Sequence, residues 1–159
     1  MKKGFFITIY GVNNIGKSTQ IRLLVKRLRK EGHDAVSLKY PVYDLEPTGS
    51  FINRILRKGL RVDEKELQMW FALNRYQFEP ILKKLLAEGK TVIAEDYTGT
   101  GIAWGTAKGA DAKWLAELNR YLLKEDLAIL LDGKRFLRSK EVGHLHESDD
   151  MLVQKVRRI

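Results

Sequence analysis

Gly11-Val12-Asn13-Asn14-Ile15-Gly16-Lys17-Ser18 has the spacing of a loop that wraps a polyphosphate: G-x-x-x-x-G-K, then a hydroxyl. The glycines let consecutive backbone N–H groups turn inward onto phosphate oxygens. Lys17 supplies a point charge for the β- and γ-phosphates, and the Ser18 hydroxyl a ligand for Mg²⁺. Every residue from Gly11 to Thr19 is therefore expected to touch a nucleoside triphosphate. A second pair, Phe71 and Arg75, is four residues apart and falls on one helical face. It offers an aromatic plane and a two-pronged donor, the equipment for stacking on a base and bonding its oxygen. A core phenylalanine beside a surface arginine has the same spacing, so the pair alone leaves both readings open. Arg135 and Arg138, three apart, could share a helical face and meet a transferring phosphoryl group. Two solvated arginines on a surface helix would look the same. His144, His146 and Glu147 suggest a metal only weakly, because alternate residues in a glycine-flanked loop seldom converge.

The elements that must position these groups can be read from periodicity. Phe5–Tyr10, Ala35–Lys39, Thr91–Ala94 and Leu127–Leu131 are short apolar or β-branched runs and read as strands. Helical spacing marks Thr19–Glu31, Gly49–Lys58, Asp63–Glu88 and Ala112–Leu123, with a further helix beginning near the chain's end. Pro80 should bend or divide the longest of them. Strands alternating with helices predict an α/β fold with a parallel sheet covered on both faces. In such sheets ligands lie beyond the carboxyl ends of the strands. Asn13, Tyr40-Pro41, Glu95-Asp96 and Asp132 fall at those ends.

Length, at 159 residues, predicts one domain over 1–159, and 44% apolar with 31% charged residues describes a globular chain. No run reaches the roughly 18 apolar residues needed to cross a membrane. Met1–Gly4 leads straight into the first strand, so no cleavable leader is expected, and cysteine is absent from the sequence. A cytoplasmic location fits. The net charge of +9 is spread among acids without stacked aromatics, which favours phosphorylated small-molecule substrates over a nucleic-acid partner.

Four segments in order resemble the thymidylate kinase family: Gly16-Lys17-Ser18-Thr19-Gln20, Tyr40-Pro41, Phe71-Ala72-Leu73-Asn74-Arg75-Tyr76 with the later Pro80, and Glu95-Asp96-Tyr97-Thr98-Gly99-Thr100-Gly101-Ile102-Ala103-Trp104. The resemblance implies a P-loop NTPase three-layer α/β/α fold and transfer of a phosphoryl group from ATP, with Mg²⁺, to deoxythymidine monophosphate (dTMP). It implies that Phe71 stacks on thymine, that Arg75 bonds its oxygen, and that Tyr97, Thr100, Gly101 and Trp104 line that pocket. Asn13 stands where relatives hold the deoxyribose hydroxyl with a carboxylate. Glu95 stands at a Mg²⁺-binding aspartate, so Ser18 and Glu95 form the expected metal pair. Lys17, Glu95, Asp96 and the lid arginines Arg135 and Arg138 are the expected catalytic groups, the lid running from about 133 to 149.

Two positions depart from the family. Asp96 replaces an arginine that grips the acceptor phosphate, and Tyr43 stands near another phosphate-binding arginine. Lys39, Arg54 or Arg57 could substitute, or the acceptor could be an unphosphorylated nucleoside with Asp96 as general base. A nucleotide-binding relative without catalysis is a third possibility. The family also implies a homodimer formed through the helix that includes Asp63–Phe78. Relatives usually continue into a last strand and helix, so the sheet is expected to lack its final strand here, with lower stability and weaker ATP binding.

Overall fold

The computed structural model describes residues 4–136 and 149–159. In chain order the elements are β1 (Phe5–Tyr10), α1 (Lys17–Lys30), β2 (Ala35–Lys39), α2 (Thr48–Arg57), α3 (Glu64–Ala87), β3 (Thr91–Glu95), α4 (Thr98–Ala107), α5 (Ala112–Leu118), β4 (Leu127–Leu130) and α6 (Asp150–Arg157). The four strands form one parallel sheet in the order β2-β3-β1-β4. Helices flank this sheet, as expected for strands joined by helical crossovers.

The two-residue period of β1 sorts its side chains onto two cores. Phe6 joins Val92, Ala94, Leu82 and Tyr97 on the α3 side of the sheet. Ile7 and Ile9 join Ile93, Ile21, Val25 and Ala35 on the α1 side. A third cluster, Val12, Trp104, Ala107, Val153 and Val156, ties the phosphate loop to α4 and α6. Aspartate side chains start three helices by accepting from backbone N–H groups: Asp63 from Glu66, Asp111 from Trp114 and Asp149 from Leu152.

Two expectations are corrected and one element was not foreseen. Pro80 does not divide α3, which runs unbroken from Glu64 to Ala87. Buried Leu67 and Ala72 before the proline and Leu82 after it pin both halves to the core. The helix expected over Ala112–Leu123 ends at Leu118, because Asn119 leaves the helical path and its side chain donates back to the Leu115 carbonyl at 2.8 Å. Residues 98–107, which carry three glycines and little helix propensity, form a helix all the same. Packing decides it: a Cβ on Gly105 would lie 2.8 Å from Leu115 Cδ1, so the small residue lets α4 and α5 come together.

Among the described residues, no helix is long and apolar enough to cross a membrane.

Candidate active site

Strand register builds the phosphate end of the site. β1 delivers the chain into the loop at Gly11, while Glu95, the last residue of β3, pairs with Ile9 of β1. The Glu95 carboxylate is therefore held beside the loop. Its Oε2 accepts from the Ser18 hydroxyl at 2.7 Å, and its Oε1 lies 3.0 Å from Lys39 Nζ. Gly16 and Asn14 both adopt left-handed backbone, φ 97° and 63°, which glycine enters freely and asparagine more readily than most residues. Lys17, only 5% exposed, donates to the carbonyls of Gly11 at 2.7 Å and Val12 at 3.1 Å. The loop thus orients its own lysine before any ligand arrives.

Asp96 follows with φ 63° and closes the floor. Its Oδ1 accepts from Thr100 Oγ1 at 2.9 Å and lies 3.6 Å from Lys17 Nζ. Burial pushes its carboxyl above the usual carboxylate range, with a smaller push from Glu95. Lys17, Thr100 and Lys39 draw it back only in part. For Lys39 the balance goes the other way. Burial draws its ammonium down, yet the charge and hydrogen bond of Glu95 leave it above its ordinary value.

The base end is built by α3 and α4. Arg75 is 5% exposed, and its Nη1 donates to Asn119 Oδ1 at 2.9 Å. Burial pulls the guanidinium down to about 10, against opposing contributions from Tyr97, Tyr10, Tyr40 and Asp96. Gly101 lets the guanidinium approach closely: a Cβ there would sit 2.7 Å from Arg75 Nη2 and force it to shift. Phe71, Thr100, Gly101 and Trp104 surround the guanidinium's side of one cavity of about 710 Å³. Asn13, Asn14, Lys17, Ser18, Thr19, Tyr43, Arg57, Glu95 and Asp96 line the same cavity.

The structure thus brings together Asn13, Asn14, Ile15, Gly16, Lys17, Ser18, Thr19, Tyr43, Phe71, Arg75, Glu95, Asp96, Tyr97, Thr100, Gly101 and Trp104. Val12 turns away into the apolar cluster with Trp104, and the Tyr97 ring is buried, its hydroxyl donating to the Leu123 carbonyl at 3.0 Å. Arg135 lies outside the cavity lining and in no helix. Its Nε donates to the Asn13 carbonyl at 3.1 Å and its Nη1 to Asp150 Oδ1 at 2.6 Å. Arg138, His144, His146 and Glu147 lie outside the described residues. Two residues escaped the sequence reading. Asn119 holds Arg75, and a polar residue inside the row Leu115, Leu118, Leu122 was the available signal. Phe136 lines the cavity and its backbone N–H donates to the Asn14 carbonyl at 2.7 Å.

The family model described as thymidylate kinase matches residues 9–157. A "probable thymidylate kinase" of Thermococcus gammatolerans is 32% identical over 142 residues, 81% of this chain and 65% of the relative. The thymidylate kinase of Dictyostelium discoideum is 31% identical over 132 residues, 82% of this chain and 59% of the relative. The chain therefore spans somewhat less than two thirds of these relatives' length. The solved structure of thymidylate kinase from Candida albicans superposes with a TM-score of 0.84 at 26% identity, covering 98% of this chain and 76% of that one. The family-model match over residues 9–157, together with the fold shared with the Candida albicans enzyme, establishes that the chain belongs to the thymidylate kinase family.

Proposed function

We propose that this chain is an ATP- and Mg²⁺-dependent nucleoside monophosphate kinase that transfers the γ-phosphoryl group of ATP to dTMP, giving ADP and dTDP. One observation carries the reading: the phosphate loop and the Phe71–Arg75 pair open into the same cavity, so donor and acceptor can meet there. Loop N–H groups and the start of α1 hold the donor phosphates, and Lys17 offsets their charge. Phe71 stacks on the thymine and Arg75 donates to its oxygen, with Tyr97, Thr100, Gly101 and Trp104 shaping the pocket around it. Asn13 bonds the sugar hydroxyl. The hydroxyl and carboxylate of Ser18 and Glu95, already within hydrogen-bond distance, are a donor set that fits Mg²⁺, which when bound neutralises charge on the β- and γ-phosphates. Arg135 steadies the loop through the Asn13 carbonyl.

The reading extends to residues 1–159 as one cytoplasmic kinase domain that works as a homodimer. Met69 and Leu73, successive turns of α3 and nearly half exposed, support pairing through that helix. A second acceptor is favoured by Asp96. Its half-buried carboxyl, raised by desolvation, suits a general base acting on a nucleoside hydroxyl.

A coupled ADP-release assay with ATP, Mg²⁺ and a panel of nucleosides and monophosphates decides between them. Turnover that peaks with dTMP supports the monophosphate reading. Turnover with thymidine but not dTMP reassigns the acceptor, and ATP binding without turnover on any acceptor overturns the kinase reading.

A further inference from the structure

We propose that the open edge of β2, beside α1, docks an extended acidic peptide segment as an added strand, its carboxylates turned toward α1. The sheet order leaves β2 at one edge, paired only with β3. The Asp34 carbonyl accepts from the Thr91 N–H, and the Tyr40 N–H donates to the Glu95 carbonyl. Backbone groups alternate along a strand, so Asp34, Val36, Leu38 and Tyr40 face β3, while Ala35, Ser37 and Lys39 face outward. Arg29 Nε donates to the Ala35 carbonyl from that outer side at 2.8 Å. Ser37 and Lys39 are left offering backbone N–H and C=O groups, the template for strand addition.

The side chains of the groove say which peptide fits. Arg22, Lys26 and Arg29 fall at one-turn spacing and form an exposed stripe on α1. With Lys39 they line a groove between α1 and β2, together with apolar Ile21, Val25 and Leu38. Glu95, the carboxylate of that lining, is already bonded to Ser18 and Lys39. Arg22 and Lys26 have no acidic partner among the described residues, whereas Arg27 on another face of α1 is paired with Glu31.

The stripe runs along the strand. Arg29 bonds Ala35 at the start of β2, and Ser18, one turn before Arg22, bonds the Glu95 that pairs with Lys39 at its end. Successive cations are about 4.5–6 Å apart along the helix axis, and alternate residues of a strand about 6.6 Å apart. Long side chains absorb that difference. Acidic residues at alternate positions of an added strand therefore meet the three cations in turn. The intervening residues fall on the opposite face, beside Val36 and Leu38, which are only partly buried. Alternating acidic and apolar residues suit both faces. A nucleic-acid strand fits less well, because the groove lining includes no aromatic ring on which a base could stack.

The probe is an end-blocked, fluorescein-labelled peptide Val-Glu-Val-Glu-Val-Glu-Val, titrated into the full chain by fluorescence anisotropy at low salt. Wild type should bind it in the micromolar range, and an isomer with its glutamates consecutive more weakly. Arg22→Gln combined with Lys26→Gln should raise Kd by about 3- to 10-fold, the loss of two exposed ion pairs. Ser37→Pro removes an outward N–H and keeps every charge, a change an edge strand tolerates. It should weaken binding by about 10-fold or more. Both variants should release ADP as wild type does, since none of these residues is in the kinase machinery. Amide hydrogen exchange, which needs no variant, should slow at Ser37 and Lys39 when the peptide is present. Failure of wild type to bind the alternating peptide overturns the inference. Binding with no slowing at Ser37 and Lys39 also overturns it, since charge alone then holds the peptide. Oligothymidylate binding as tightly as the peptide overturns it in favour of a phosphate backbone.

Discussion

Replacing Arg75 with methionine should leave the free protein as stable as before, or more so, while removing its response to dTMP. A guanidinium pulled down to about 10 by burial has its charged form disfavoured by about 3 kcal/mol relative to water, at about 1.4 kcal/mol per pH unit. The hydrogen bond to Asn119 does not neutralise it, and Nε has no hydrogen-bond partner among the described residues. Methionine fills similar volume without charge. It leaves Asn119 Oδ1 without its arginine, which costs about 1–3 kcal/mol for a buried acceptor. The difference is a net change between about 0 and 2 kcal/mol in favour of the variant, or up to several degrees in Tm at about 2–4 °C per kcal/mol. Urea denaturation with and without dTMP measures both halves: the ligand should raise the wild-type midpoint and leave the variant's unmoved. A variant more than about 2 kcal/mol less stable than wild type would refute the claim that the Arg75 charge is held at a net cost.

Gly101→Ala would place a Cβ 2.7 Å from Arg75 Nη2. Displacing that fork should raise the KM for dTMP by about 10-fold, in line with the cost of overpacking, with the KM for ATP unchanged in the same assay. Asp96→Asn should flatten the pH dependence of stability. Because burial raises the folded-state Asp96 value, the folded state keeps its proton to higher pH than the unfolded one. Wild-type stability therefore falls as pH rises through that window. A Tm series from about pH 4 to 7 should show this fall in wild type and a shallower one in the variant. Asp63→Ala removes the side chain that accepts from Glu66 N at 2.8 Å. It should cost about 1 kcal/mol, read as a Tm lower by about 2–4 °C.

The phosphate end of the site was legible in the sequence because its information is local. Eight consecutive residues and their flanking strand and helix carry it, and all four strands began at the expected residues. The base end was half legible. Phe71 and Arg75 share a face by spacing, but what holds Arg75 comes from Asn119, 44 residues away. α4 was missed because Thr98-Gly99-Thr100-Gly101 has poor helix propensity, and a close fit against Arg75 and Leu115 outweighs it. Arg135 was expected on a helical face. Two hydrogen bonds, to Asn13 and Asp150, hold it in irregular backbone instead. No local pattern could foretell partners on either side of it in the chain. Lys39, Arg54 and Arg57 were equivalent by composition. In the structure Lys39 lies beside the Glu95 carboxylate, while Arg54 and Arg57 lie over the rings of Phe51 and Tyr43.

The position of β1 in the sheet has a consequence for how the molecule comes into being. Its neighbours are β3 on one side and β4 on the other, and Phe6 N–H bonds the Asp126 carboxylate across 120 residues of chain. Contacts so remote in sequence close late, since the entropy of a long loop must be met before the pairing repays it. A chain emerging from the ribosome therefore carries its phosphate loop complete in sequence long before the strand behind it has both partners. Nucleotide binding should switch on only once β4 has been made and docked. Synthesis order leaves the phosphate loop without one of its flanking strands until β4, the last of the four, has been made.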